Sequence, residues 1–301
     1  MLTYYARRLR WGNQLGEEFW CVSDREVWRI DVSDGNGSSK FSRSPGESVS
    51  RVFSRITSNG EWYKLSLTPG ECYPRMARPN SINTLPPGHN PDSSPELREY
   101  RARSAGQLHA FIEELDQICR VIQPEKNNLQ AWGHSTRNIL ILACTEVEAH
   151  CYHVLIDNGY KSRKKNGRLD TKDYVMLLNA MHLDHYGVNL NYFPWLPTVF
   201  PFKGWRADSP TKSLPWYHSY NLVKHDRENN FHEATLRRAL QAVTACFVML
   251  CAQYGWAFAH EGSEAERAFF RLRFVPKWKP SEVYVPPFGV GYRARQYPFP
   301  T

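Results

Sequence analysis

Several things are missing from this chain of 301 residues, and each absence narrows the chemistry. No Cys-x-x-Cys pair occurs among the seven cysteines, Cys21, Cys72, Cys119, Cys144, Cys151, Cys246 and Cys251, which argues against dithiol redox motifs and paired-thiolate zinc sites. Odd in number and mostly set on apolar helical positions, they read as free buried thiols of a reducing compartment, so a cytoplasmic location is expected. The opening MLTYYARRLRW carries charge but lacks the apolar core of a secretory signal. Long hydrophobic runs are scarce. The only stretch of membrane-spanning length is read as Ala242–Ala259, and Thr244, Gln253, Tyr254 and Gly255 make it a buried core helix instead, so no membrane partner is expected. Aspartate is absent after Asp226. A metal phosphohydrolase built on His225-Asp226 would need such a downstream carboxylate. The pairs His150/His153 and His182/His185 have helical spacing, but no third strong ligand follows at a recognisable interval, and neither metal nor other cofactor is expected.

What is present is an ordinary globular composition. With 42% hydrophobic and 14% aromatic residues the chain can bury a sizeable core, in one large or two smaller domains. The 38 basic residues exceed the 30 acidic ones, giving a net charge of +8 that suits a polyanionic partner.

Organisation changes along the chain. Up to about residue 90, short alternating runs (Phe19–Val22, Glu26–Val32, Val52–Ile56, Trp62–Leu67) are separated by the turn signals Asp34-Gly-Asn-Gly37 and Ser58-Asn-Gly60, which predicts a small antiparallel β lobe. Residues 78–95, with five prolines and no helical period, mark a linker or long surface loop. Apolar residues then keep 3–4 spacing over Pro95–Ile122 and again over Ser135–Ile156, with a shorter helix near Thr171–His182. Beyond residue 262, Phe269–Pro287 alternates large and basic residues before prolines, so an edge strand and an extended arm are expected. The fold class is therefore mostly α: a helical bundle over 91–262, a β-rich lobe over 1–90 and a C-terminal arm over 263–301.

The chain is organised around Pro215–Tyr254. Pro215 opens a short helix through His225, and a long amphipathic helix carries Leu236, Leu240, Val243, Phe247, Leu250 and Tyr254 on one face. Between them, Asn221, Lys224, His225, Asp226, Arg227 and His232 fall within twelve residues. Asn230 and Glu233 form a capping-box pattern that predicts a helix start near Phe231, with His232 in a first turn able to receive an anion such as phosphate. Read without function, Asn221, Lys224, His225 and Arg227 would form a hydrogen-bond network locking the helix junction.

Arg227-Glu-Asn-Asn-Phe-His232 fits an R-x4-6-H pattern, and Tyr220-Asn221-x-x-Lys224-His225-x-Arg227 precedes it. These residues, within about 127–256, resemble the HEPN superfamily of helical-bundle proteins. The resemblance implies a metal-independent endoribonuclease of toxin or antiviral type. It implies Arg227 as the phosphate clamp, His232 as acid or base with His225 as a second candidate, and Asn221 and Lys224 as orienting or phosphate-binding groups. One Arg and one His make half a site, so a homodimer is implied, and with it a neutralising or regulatory partner protein. Glu228 departs from the pattern, which usually carries a polar residue such as Asn straight after the Arg. An acid beside the scissile phosphate would oppose cleavage, and a catalytically inactive module that binds RNA or a partner protein is the alternative.

Other residues could serve the same site. Glu146, in a row with His150 and His153 off the apolar stripe of the second helix, is placed to hold Arg227 or His225. Lys164 and Lys165 belong to a basic loop, Lys161–Arg168, suited to phosphate contact. Tyr192, Phe193 and Trp195 offer rings for stacking bases, or simple core cover.

Overall fold

The computed structural model describes residues 2–11, 14–30, 37–57, 60–81, 88–91, 94–162, 164–260, 264–287 and 291–300. With 46% helix and 17% strand it is a mixed α/β protein in which helix predominates. Two compact units are present: one of residues 1–73, 78–92 and 277–295, the other of 74–77, 93–276 and 296–301.

The first unit is built on a five-stranded antiparallel sheet. Strands β1 (Thr3–Trp11), β2 (Gln14–Val22), β3 (Glu26–Ile30) and β4 (Gly37–Ser42) follow in sequence, and β5 (Glu61–Lys64) pairs with β1 at the other edge. Side chains alternate across it. Ala6, Phe19, Cys21 and Ile30 share one face with Val283 and Val285 from the end of the chain. Trp20, Val22 and Val27 share the other with Val52 and Phe53 of helix α1 (Val49–Ile56), where Phe53 stacks on Trp62 at 3.6 Å. The strand expected at Val52–Ile56 is thus a helix. Val49, Val52, Phe53 and Ile56 have i, i+3, i+4, i+7 spacing, and Ser48 caps the turn by accepting from the Arg51 N–H. The charged first residues form β1, where Arg7 bridges Glu18 at 3.0 Å. Expected turns at Asp34–Asn36 and Ser58-Asn59 lie outside the described residues, as do 82–87 of the proline-rich stretch. The rest of that stretch is tied down, since Arg78 and His89 exchange backbone hydrogen bonds of 3.1 Å. Strand β6 (Glu71–Cys72) pairs in parallel with Arg293–Ala294.

In the second unit the long helices α2 (Pro95–Val121) and α3 (His134–Asp157) appear where apolar spacing placed them. The third expected helix divides into α4 (Thr171–Tyr174) and α5 (Leu177–Met181), ended by His182 in the left-handed region at φ 50°. Strand β7 (Gly187–Leu190) follows, then α6 (Pro215–His225), the single turn α7 (Arg227–Asn230) and α8 (Leu236–Tyr254). Almost every α8 residue is buried, and it packs against α2, α3 and α6. A helix apolar on nearly all sides must lie at the centre of its neighbours. Gly255, at φ 66°, lets the chain turn into the short helices α9 (Trp256–Ala259) and α10 (Glu264–Phe269). Among the described residues the helix long and apolar enough to cross a membrane is α3, not the Ala242–Ala259 stretch expected from sequence, and half of its apolar window is buried.

The C-terminal arm expected over 263–301 is corrected as well. Its first residues form α10 and strand β8 (Phe270–Phe274), which pairs antiparallel with β7. Residues 277–295 belong to the first unit, because Val283 and Val285 supply apolar cover to its sheet. Phe193 is buried beside Phe269, so of the three proposed stacking rings only Tyr192 and Trp195 stay half exposed.

Candidate functional site

The residues singled out from sequence divide into two groups at the C-terminal end of α6. Asn221 and Lys224 are engaged. Asn221 Nδ2 donates to the Tyr217 carbonyl one turn earlier at 2.9 Å. Lys224 Nζ donates to the Tyr220 hydroxyl at 2.8 Å, which raises the lysine pKa. The hydroxyls of Tyr217 and Tyr220 in turn meet the carboxylate of Glu148 on α3, Tyr217 closely and Tyr220 at 3.5 Å. Burial and then this carboxylate push the Tyr217 phenol upward. The α3–α6 seam is therefore held by a chain of hydrogen bonds from Glu148 through two tyrosines to Lys224.

His225, Arg227 and Glu228 are all exposed, and none makes a hydrogen bond or ion pair among the described residues. His232 is 60% exposed and lies 3.8 Å from Glu233, which accepts from Ser219 of α6 at 3.2 Å. No network joins His225 and Arg227 to Lys224, contrary to the purely structural reading. The turn between them is organised by Asp226. Its carboxylate accepts from Asn229 Nδ2 at 2.8 Å and from the Asn229 N–H at 3.2 Å, and these bonds hold its pKa below the usual carboxylate range. Its side chain thus occupies the anion position at the start of α7.

Two expectations about this corner are overturned. The long helix begins at Leu236, capped by the Thr235 hydroxyl and pinned by Leu236 N–H donating to Ala131 at 2.8 Å, and not near Phe231. His232 sits in the preceding 3-10 turn, Phe231–Glu233, and Asn230 makes no side-chain cap bond there, so the free N–H groups of α8 are not beside His232. Glu146 does not reach Arg227 or His225. It faces His150, whose Nε2 lies 3.3 Å from Glu146 Oε1 without the alignment of a hydrogen bond. His150 is buried with its Nδ1 3.2 Å from Gln253 of α8, and burial, with the nearby charges of Arg75 and His153, lowers its pKa to about 3. Burial also raises Glu146.

In the basic loop Lys164 is paired with Asp170, while Lys165 is exposed and makes no contact among the described residues. Arg163 lies outside them. All seven cysteines are free and buried, and burial pushes Cys119 up to about 12. Among the described residues no group of three or more His, Cys, Asp or Glu is placed to hold a metal ion.

Sequence reasoning missed Glu148, Tyr217 and Trp132. Tyr217, Tyr220 and Lys224 repeat at helical spacing, a signal that α6 presents them on one face. Nothing local marks Trp132, which is 51% exposed with its ring 5.1 Å from Phe231 and at an edge-on angle, next to His232 in sequence. It borders a cleft of about 450 Å³ formed with His134 and the end of α2.

No family model, no curated protein and no solved structure matches this chain.

Proposed function

We propose that the chain is a metal-independent endoribonuclease of a toxin or phage-defence system, acting in the cytoplasm through Arg227 and His232 with His225 in support. In this reading α2, α3, α6 and α8 form a HEPN-like bundle. The observation that carries it is the state of the corner after α6. Two imidazoles and a guanidinium stand exposed within eight residues, while the neighbouring Lys224 and Asn221 are fixed by α3 and α6. Side chains with no structural employment, at the edge of a rigid seam, are what a binding surface for a charged backbone needs.

The chemistry follows from the residue types. Histidine exchanges protons near neutrality, so one imidazole takes the ribose 2′-OH proton. The oxygen attacks phosphorus, the P–O5′ bond breaks, and a second imidazole protonates the departing O5′. Arg227 stabilises the charge that accumulates on the phosphoryl oxygens. The products end in 2′,3′-cyclic phosphate and 5′-OH. Two copies complete the site, each giving one Arg and one His, and a neutralising or regulatory protein is the expected partner of a toxin. Trp132 offers a face for a base beside the reacting phosphate.

A second reading has one observation in its favour. Glu228 is exposed next to Arg227 and no cation pairs with it among the described residues, so the corner carries an acid where a phosphate would approach. A module that binds RNA or a partner protein without cleaving RNA tolerates this better than an active site does. Incubation of total RNA with pure protein in excess EDTA separates the two. Fragments with cyclic-phosphate ends from the wild type and none from Arg227→Ala/His232→Ala support the nuclease. No cutting by either protein favours the binding module, and equal cutting by both places the site elsewhere.

A further inference from the structure

Helix α3 turns one side to the core through Leu140, Cys144, Val147, Cys151 and Val154. On the other side Asn138, Leu142, Thr145, Ala149, Tyr152 and Ile156 are all exposed, at intervals of four and three residues. That spacing is the a/d repeat of a coiled-coil seam. None of the six is charged, and Leu142, Tyr152 and Ile156 keep 56%, 41% and 42% of their surface in solvent. Helix α2 shows the ordinary alternative, an outer face laced with the ion pairs Glu99–Arg103 and Asp116–Arg120.

We propose that this strip of α3 is where a second copy of the chain docks, α3 against α3, antiparallel across a twofold axis. The strip is complementary to itself reversed. If Arg137 of one copy is set beside Asp157 of the other, Asn138 meets Ile156, Leu142 meets Tyr152, and Thr145 meets Ala149. Each a position then faces a d position. The two smallest contacts fall at the axis, where the helices approach most closely, and the bulky ones lie to either side. Opposite charges sit at the two ends: Arg137 in the first turn, and Asp157 in the last, which holds Arg75 at 2.5 Å while 39% of its side chain stays exposed. Antiparallel helix dipoles favour the same arrangement. An isologous interface requires one patch to match itself in this way, whereas a foreign protein or a lipid surface imposes no such symmetry. The pairing rests on α3 alone and does not depend on the nuclease reading.

The test is the mass of the full chain by analytical ultracentrifugation, together with disulfide trapping. The wild type sediments as a dimer. Ala149→Glu, at an exposed helical position, sediments as a monomer with unchanged Tm. Oxidation links two chains of the double variant Asn138→Cys/Ile156→Cys but of neither single variant, because like positions lie roughly 27 Å apart along antiparallel helices, beyond the ~6 Å between Cα atoms of a disulfide. A wild type that stays monomeric, a dimer that survives Ala149→Glu, trapping of either single variant, or a monomer that floats with lipid vesicles and loses that binding in Ala149→Glu overturns the proposal. Mass and trapping are read without any cleavage assay, so failure here is distinct from failure of the nuclease reading.

Discussion

Around Glu148 the polar groups of α3 and α6 answer one another: two tyrosine hydroxyls meet its carboxylate and Lys224 closes the chain through Tyr220. A few residues further on, His225, Arg227 and His232 stand in solvent, and the nearest carboxylate to any of them is Glu233, 3.8 Å from His232. The same motif thus contains two kinds of residue. The first kind stabilises the seam and should show its effect in unfolding. The second contributes little to the seam and should show its effect only with substrate.

The comparison breaks most clearly at the exposed corner. Arg227→Ala/His232→Ala is expected to lower RNA cleavage by about 10² to 10⁴-fold, the range for loss of a positioned acid or base, with Tm by calorimetry unchanged. At the seam, Glu148→Ala strands two tyrosine hydroxyls, and a loss of about 1–3 kcal/mol is expected in urea unfolding. An unchanged midpoint would show the network to be incidental.

His150 sharpens the comparison through pH. Its folded pKa of about 3 lies below that of the unfolded chain, which therefore binds the proton first as pH falls. Stability from this residue is present at neutral pH and is lost as pH drops from about 6.5 toward 3. The groups facing it, Gln253 and Glu146, and the nearby charges of Arg75 and His153, stay in place in His150→Gln, so the drop in Tm between pH 7 and pH 5 should shrink in that variant. A drop equal to the wild type's would assign the acid sensitivity to other groups.

The smallest effect separates two adjacent lysines. Lys164 is held by Asp170 and Lys165 is uncommitted. Lys165→Ala is expected to reduce the slope of log binding constant against log salt by about 0.7 for single-stranded RNA, and Lys164→Ala by less. Equal changes would mean that the Asp170 pair opens on binding.

Much of the helical framework was legible because α2, α3 and α6 carry apolar residues at helical spacing, and Ser94 and Pro215 mark the starts of α2 and α6. Where signals competed, legibility failed. At the start of α8, Asn230 with Glu233 makes a better capping pattern on paper than Thr235, yet the backbone bond from Leu236 to Ala131 fixes the later start. In the first unit, Val52–Ile56 is β-branched and flanked by turn residues, and only the burial of Val52 and Phe53 against the sheet shows that its period is helical. The motif residues were legible by spacing, but their partners were not. Glu146 and Glu148 differ by two positions, about 200° around a helix, and which of them meets α6 depends on how α3 is rolled against its neighbours.

The most direct measurement is the rate of RNA cleavage in EDTA for wild type, Arg227→Ala/His232→Ala and Glu148→Ala, at a temperature where all three are folded. The account predicts that the double variant loses cleavage while Glu148→Ala, though less stable, retains most of it. Cleavage that persists in the double variant and disappears in Glu148→Ala would contradict it, and would move the site from the exposed corner to the seam.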